Sequence, residues 1–279
     1  MKSCIWVIMA LTMFSPSISA QVLEDIWQTD PVLKVPESVL YDKGNNRCFI
    51  SNINGKPTEK NGDGFISIMD KQGKIINQEW ATGLNAPKGM DLKGNKLYVA
   101  DIDRIAVIDT RSGKVLNFID VPGSIFLNDV ATGPDGNIYV TDTRQGTIYM
   151  LKADKPEIWS RDSKLKGVNG ITVESDYLLI GSQGYLLKGD INTKKVSIIA
   201  ETDIQIDGLI PLGNGHYVVS AWAGKVLYLS PETAPKELFD SEPLSFHTAD
   251  MGYLPDEKLL LIPTFTDRVI AKKIVLYRK

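Results

Sequence analysis

The sequence predicts an all-β fold: a six-bladed β-propeller of four-stranded antiparallel blades, closed by an N-terminal strand that completes the last blade. Three observations carry this prediction. A turn rich in Gly, Asn, Asp or Pro returns six times at a spacing near forty residues, for example Asp91-Leu92-Lys93-Gly94-Asn95, Thr132-Gly133-Pro134-Asp135-Gly136 and Leu212-Gly213-Asn214-Gly215. Each turn is followed by a short apolar strand, such as Leu97-Tyr98-Val99, Ile138-Tyr139-Val140 or Tyr217-Val218-Val219. No Pro/Gly/Ser-rich linker interrupts the pattern from Pro36 almost to the C-terminus. A repeat of about forty residues built from strand-forming residues has the length of one propeller blade.

The third unit shows the blade plan most clearly. Strands are expected over Asn128–Thr132, Asn137–Thr141, Thr147–Leu151 and Pro156–Ser160, with glycine-bearing hairpin turns between them. Unit four repeats the plan at Asn169–Val173, Tyr177–Gly181, Tyr185–Asp190 and Lys195–Ala200. Unit five does so at Asp207–Pro211, His216–Ala221, Lys225–Ser230 and Lys236–Asp240. Unit one carries an excess of polar residues over Asn54–Asp63, read as a surface loop. The last unit stops after a third strand, Val269–Tyr277, and the missing outermost strand is expected from Val22–Gln28, since Glu24-Asp25-Ile26-Trp27 matches Pro156-Glu157-Ile158-Trp159. Closing the ring removes the unpaired edges an open sheet would expose.

Residues 1–20 combine Lys2, an apolar run from Ile5 to Phe14 and the small residues Ser15 to Ala20, the pattern of a secretory signal peptide. The propeller is expected over 21–279, exported to a periplasm or to the medium, with no membrane span. A formal net charge of -3 and the lack of a basic block argue against nucleic acid as a partner. The chain is read as a monomer with a small molecule in its central channel. Only Cys48 remains after the leader; it alternates with Phe49 in a strand and reads as a core residue. Trp27, Trp80 and Trp159 recur in or near fourth strands and read as packing, whereas Trp222, just before a hairpin, is placed at a pocket.

The first strand of each blade lines the channel. The residues that open these strands are Glu37, Lys88, Asn128, Asn169, Asp207 and His247. Strands otherwise made of Val, Ile, Leu and Tyr have no packing use for polar groups at a common phase. Glu37, Asn128, Asn169 and Asp207 form an oxygen-only donor set, which suits a hard divalent cation and calcium in particular. No nucleophile elbow, phosphate-binding glycine loop or dinucleotide fingerprint occurs.

Pro36-Glu37-Ser38-Val39-Leu40-Tyr41-Asp42, Leu127-Asn128-Asp129-Val130, Val168-Asn169-Gly170-Ile171, Ile206-Asp207-Gly208-Leu209 and Ser220-Ala221-Trp222-Ala223-Gly224-Lys225-Val226 resemble the matching segments of the regucalcin/gluconolactonase family of six-bladed propellers. The order and spacing of these segments carry the likeness over nearly all of the mature chain. The resemblance implies a divalent cation (Ca2+ first, Mn2+ or Zn2+ otherwise) on Glu37, Asn169 and Asp207 with Asn128 beside them, and hydrolysis of lactones or related cyclic esters. Asp207 would serve as ligand and base, assisted by Asp129 or His247, and Asn128, Lys88 and Trp222 would contact substrate. The chain departs from the family in having Phe126 and Leu127 where an arginine is usual, Val39 and Tyr41 where Pro and Trp are common, and Lys88 in the channel. These departures point to a second reading, a non-catalytic binding propeller whose channel ion is structural. Loss of cation binding in Asp207→Ala would mark a real site under both readings, and turnover separates them.

Overall fold

The computed structural model describes the backbone over residues 18–278 and side chains over 22–275. The expected leader lies outside the described residues except for Ile18–Ala20, which begin strand β1 (Ile18–Gln28). Blade one comprises β2 (Pro36–Asp42), β3 (Arg47–Asn52), β4 (Gly64–Asp70) and β5 (Ile75–Leu84). Blade two holds β6 (Pro87–Lys93), β7 (Lys96–Asp101), β8 (Arg104–Asp109) and β9 (Val115–Asp120). Blade three holds β10 (Leu127–Thr132), β11 (Ile138–Asp142), β12 (Thr147–Lys152) and β13 (Lys155–Ser160). Blade four is built from β14 (Ile171–Glu174), β15 (Tyr177–Asp190) and β16 (Val196–Gln205). Blade five has β17 (Leu209–Gly213), β18 (His216–Ala221), β19 (Lys225–Ser230) and β20 (Thr233–Asp240), and blade six has β21 (Gly252–Leu254), β22 (Leu259–Pro263) and β23 (Val269–Arg278). Within each sheet strands pair antiparallel in sequence order, and β1 is added outside β23.

Blade four departs from the strand boundaries expected from sequence. Its second and third strands form one run of 14 residues, β15. The run doubles back at Gly184, whose φ of +87° is in the left-handed region that glycine adopts without strain. The two halves lie side by side, since a Cβ on Gly189 would sit 3.5 Å from Leu178 Cβ. The blade therefore keeps its four-stranded plan. Asn169 and Asp207, expected to open strands, precede the regular ladder; their backbone N–H groups still reach the second strand of their blade, Asn169 N–H to Gly181 O at 2.9 Å and Asp207 N–H to Ser220 O at 2.7 Å.

Period-two alternation places each strand's side chains on both faces, so every blade supplies two apolar surfaces. Phe49 packs with Leu97 and Met90 of blade two, whereas its neighbours Cys48 and Ile50 pack with Leu259 and Leu261 of blade six. Comparable clusters fill the other interfaces, including Tyr139 and Trp159 against Ile171 and Leu178, and Val218 and Tyr228 against Met251 and Leu260. Trp159 meets Tyr139 edge-on at 5.9 Å and Trp80 lies 5.1 Å from Phe49. The tryptophans of the outer strands are thus packing residues, and Cys48 is a buried free thiol.

Closure follows the expected route. Leu23 pairs with Ile274 and Gln28 with Ile270, Thr29 N–H donates to Val269 O at 3.0 Å, and the Lys272 ammonium pairs with Asp25. First strands approach one another closely around the channel. A Cβ on Gly170 would lie 1.9 Å from Asp207 O, so only glycine fits there.

Candidate functional site

Five of the six ring positions converge as the common repeat phase predicts. Glu37, Lys88, Asn128, Asn169 and Asp207 line one cavity of about 300 Å3 at a mouth of the channel, walled by Phe126, Thr143, Trp222 and Phe265. A second cavity of about 360 Å3 shares Asn169, Gln205, Asp207 and Trp222 with it. The polar loop over 54–63 folds beside this mouth rather than away from it. Its Pro57 carbonyl accepts from Lys88 Nζ at 3.2 Å, and Lys60 pairs with Asp103 of blade two.

The sixth position differs. Asp250 N–H donates to Glu37 O at 3.0 Å and Asp250 bridges Ser38, which makes Ala249 the residue level with Glu37. His247 therefore stands two residues ahead of the ring phase and is not among the residues lining the cavity. It stacks on the Trp222 indole instead, with centroids 3.9 Å apart and planes at 12°, and its Nδ1–H donates to Trp222 O at 2.9 Å. A carbonyl only accepts, so Nδ1 carries a proton in this contact.

Asp129 is also kept apart from Asp207. It belongs to a cavity of about 200 Å3 at the opposite mouth, with Asp91, Asp250, Tyr41 and Tyr253. Both its oxygens are engaged by backbone, Oδ1 by Val130 N–H and Oδ2 by Ile171 N–H, each at 2.7 Å. It occupies the space that Gly89 leaves open and ties blade three to blade four. Asp250 is the residue that sequence reasoning missed. The signal was present: Ala249-Asp250-Met251 follows the pattern of Asn128-Asp129-Val130, two positions after the conspicuous histidine.

Electrostatics single out Glu37 and Asp207. They are 5% and 4% exposed, and Glu37 Oε2 and Asp207 Oδ1 have no hydrogen-bond partner. Burial, and then the Asp207 charge, push the Glu37 carboxyl well above the usual carboxylate range, with Lys88 opposing. Burial, and then Asp250, raise Asp207, with a hydrogen bond from Asn169 opposing. Lys88 is 1% exposed; it donates to Ala86 O at 2.9 Å, lies 4.5 Å above the Phe126 ring, and burial lowers its ammonium to about 8. Asn128 gives its amide N–H to Thr143 Oγ1 at 3.0 Å, which fixes the orientation of its carbonyl oxygen.

This donor set fits a hard divalent cation: two buried carboxylates each keep an oxygen without a partner, and the amides beside them offer further oxygens. Among the described residues there is no group of three or more His, Cys, Asp and Glu suited to a metal. A cation here would therefore depend on amide oxygens and water as well as on the two carboxylates.

The chain is similar in structure to virginiamycin B lyase from Staphylococcus aureus, in a catalytically inactive His-to-Ala variant solved with quinupristin. That match has 16% identity and a TM-score of 0.61 over 93% of this chain and 100% of that one. It is likewise similar to a streptogramin B lyase, with 14% identity and a TM-score of 0.64 over 92% of this chain and 97% of that one. At these identities the likeness bears on the fold, which it matches over almost the whole length. No protein-family model matches the chain and no curated protein is similar to it in sequence, so the regucalcin/gluconolactonase resemblance rests on its own motifs.

Proposed function

We propose that this chain is a metal-dependent enzyme that opens the ester ring of lactones or related cyclic esters at the Glu37–Asp207 mouth of its channel. The observation that carries the reading is the pair of partnerless carboxylate oxygens on Glu37 and Asp207, buried in one cavity with Asn128 and Asn169. Unpaired buried carboxylates cost several kcal/mol unless a ligand or a shared proton compensates them. In this reading Glu37, Asn169 and Asp207, with Asn128 beside them, hold a divalent cation, with calcium first and manganese or zinc as alternatives. The bound ion would supply Lewis-acid polarisation of the ester carbonyl and of the oxyanion formed from it.

The protein's own part is to position and to move protons. Asp207, whose proton affinity burial raises, accepts a proton from water as the water oxygen adds to the carbonyl carbon, and the same proton passes to the ring oxygen as the acyl C–O bond breaks. The product is a hydroxy acid. Asn169 orients Asp207 through its amide, and the Lys88 ammonium balances part of the charge on Glu37. Asn128, Lys88 and Trp222 form the walls a substrate would touch. With the leader read in residues 1–20, the proposed place of action is a periplasm or the medium.

The fold neighbours are named as lyases, which favours elimination as a second route from the same site, with a proton taken from carbon and an unsaturated acid released. The departures at Lys88 and Phe126, which put an ammonium over an aromatic ring in the cavity wall, favour the non-catalytic alternative, a binding propeller whose channel ion is structural. The purified protein, assayed on lactones and aryl esters with calcium, manganese or zinc supplied or chelated, tests all three. Metal-dependent release of hydroxy acid that is lost in Asp207→Ala supports hydrolysis, release of an unsaturated acid supports elimination, and cation binding without turnover on any substrate leaves the binding module.

A further inference from the structure

The cavity has one wall that neither a cation nor acid–base chemistry explains. Trp222 is 47% exposed, yet it is held rigidly. It sits in the turn between β18 and β19, closed by Gly224 N–H to Ala221 O at 2.8 Å. One face of its indole is covered by the His247 ring at 3.9 Å, and the edge contact from Phe265 is at 5.6 Å and 90°. His247 is fixed in turn by its Nδ1–H bond to Trp222 O, and Phe265 packs edge-on against His247 at 5.9 Å.

Phe265 is held in an unfavourable backbone conformation to do this. Its φ is +57°, in the left-handed region where a bulky side chain is a genuine outlier. Its N–H is tied to Pro36 O at 3.1 Å, next to Glu37. Three aromatic rings from blades five and six therefore form a braced stack that covers only one face of Trp222. The indole lines both cavities, alongside Asn169 and Asp207. Across the mouth stands Phe126, with Lys88 and Arg144 over its ring at 4.5 Å and 4.8 Å.

A solvent-exposed tryptophan on a preorganised support, inside a concave site, is suited to stack on a flat ring, because no side-chain freedom has to be lost on binding. We infer that Trp222 is a stacking platform for an aromatic ring carried by the substrate next to its ester, which makes aryl-fused lactones the favoured substrate class. This rests on the ring-opening reading for the identity of the ester, but the platform itself stands on the aromatic geometry.

The test compares a benzo-fused δ-lactone with the saturated δ-lactone on the wild-type protein, Trp222→Ala and Trp222→Phe. The platform predicts that the ratio of kcat/KM for the benzo-fused over the saturated compound falls by about tenfold in Trp222→Ala and is largely kept in Trp222→Phe. An unchanged ratio in Trp222→Ala overturns the platform. If neither lactone is turned over, the ring-opening reading fails separately, and titration of tryptophan fluorescence decides the platform. Quenching by the benzo-fused compound at concentrations where the saturated one has no effect, absent in Trp222→Phe, supports it; equal responses to both compounds contradict it. Circular dichroism of each variant confirms that the propeller is intact.

Discussion

Glu37 and Asp207 enter the channel from blades one and five, and each keeps one carboxylate oxygen without a hydrogen-bond partner although both side chains are buried. The Asp207 charge raises the Glu37 carboxyl, so the two sites resist being ionised together. Removing one charge should therefore help the metal-free protein. Asp207→Asn is expected to raise the unfolding midpoint in chelator, by the equivalent of about 1 kcal/mol, while abolishing cation binding by calorimetry. A lower midpoint with binding retained would show that the pair is not in conflict.

Cation binding should stabilise the wild-type fold by mass action. At calcium a hundredfold above its dissociation constant the gain is about 2.7 kcal/mol. Thermal unfolding with calcium and with chelator reads this directly, and Glu37→Gln is expected to lose most of the difference. Equal melting temperatures in both buffers would count against a site.

Asp250 gives a pH dependence of known sign. It accepts from Ser38 Oγ at 2.5 Å, and burial pushes its carboxyl up to about 7. Between about pH 4, where the unfolded chain sheds this proton, and about pH 7, where the folded chain does, stability falls as pH rises, by about 1.4 kcal/mol per unit at the steepest. Glu37, Asp207 and Asp129 are shifted the same way and add to the slope. Urea unfolding in chelator across this range should show a shallower fall in Asp250→Asn; an identical slope would remove Asp250 from the account.

Ring closure depends on β1. Deleting residues 21–30 removes most of the partner of β23 and the Asp25–Lys272 pair, and leaves Trp27's packing site beside Gly73 empty. Cooperative unfolding should be lost, as seen by calorimetry. A deletion variant with an unchanged melting temperature would rule the closure out.

Crowding at the channel makes Gly170 a sensitive position. A Cβ there meets Asp207 O at 1.9 Å, so Gly170→Ala must push blades four and five apart. A loss of about 1–3 kcal/mol is expected, typical of overpacking, together with weaker cation binding because Asp207 moves. Wild-type stability and affinity in this variant would contradict the packing described for the first strands.

The fold was legible because blade chemistry is local: turn residues, alternating apolar strands and a constant period report on neighbours in sequence. The closing strand was legible too, since Trp27 repeats the pattern of Trp159. The candidate site was legible where phase alone decides position, as for Glu37, Lys88, Asn128, Asn169 and Asp207. It was not legible in blade six. There the short helical turn Glu242–Leu244 and an irregular stretch precede β21, so the eye settles on His247 while the register belongs to Ala249 and Asp250. The facing of Asp129 was hidden for another reason. Adjacent residues on a strand point opposite ways, and whether Asn128 or Asp129 meets Asp207 depends on the sheet, not on the motif.

The central claim is that the Glu37–Asp207 mouth opens ester rings with a divalent cation. The most direct test is the rate of hydroxy-acid release from a lactone as calcium is titrated into the chelated protein, run beside Asp207→Ala. The account predicts a rate that saturates with calcium and is lost in the variant. The same rate in chelator, or a rate that survives in Asp207→Ala, would contradict it.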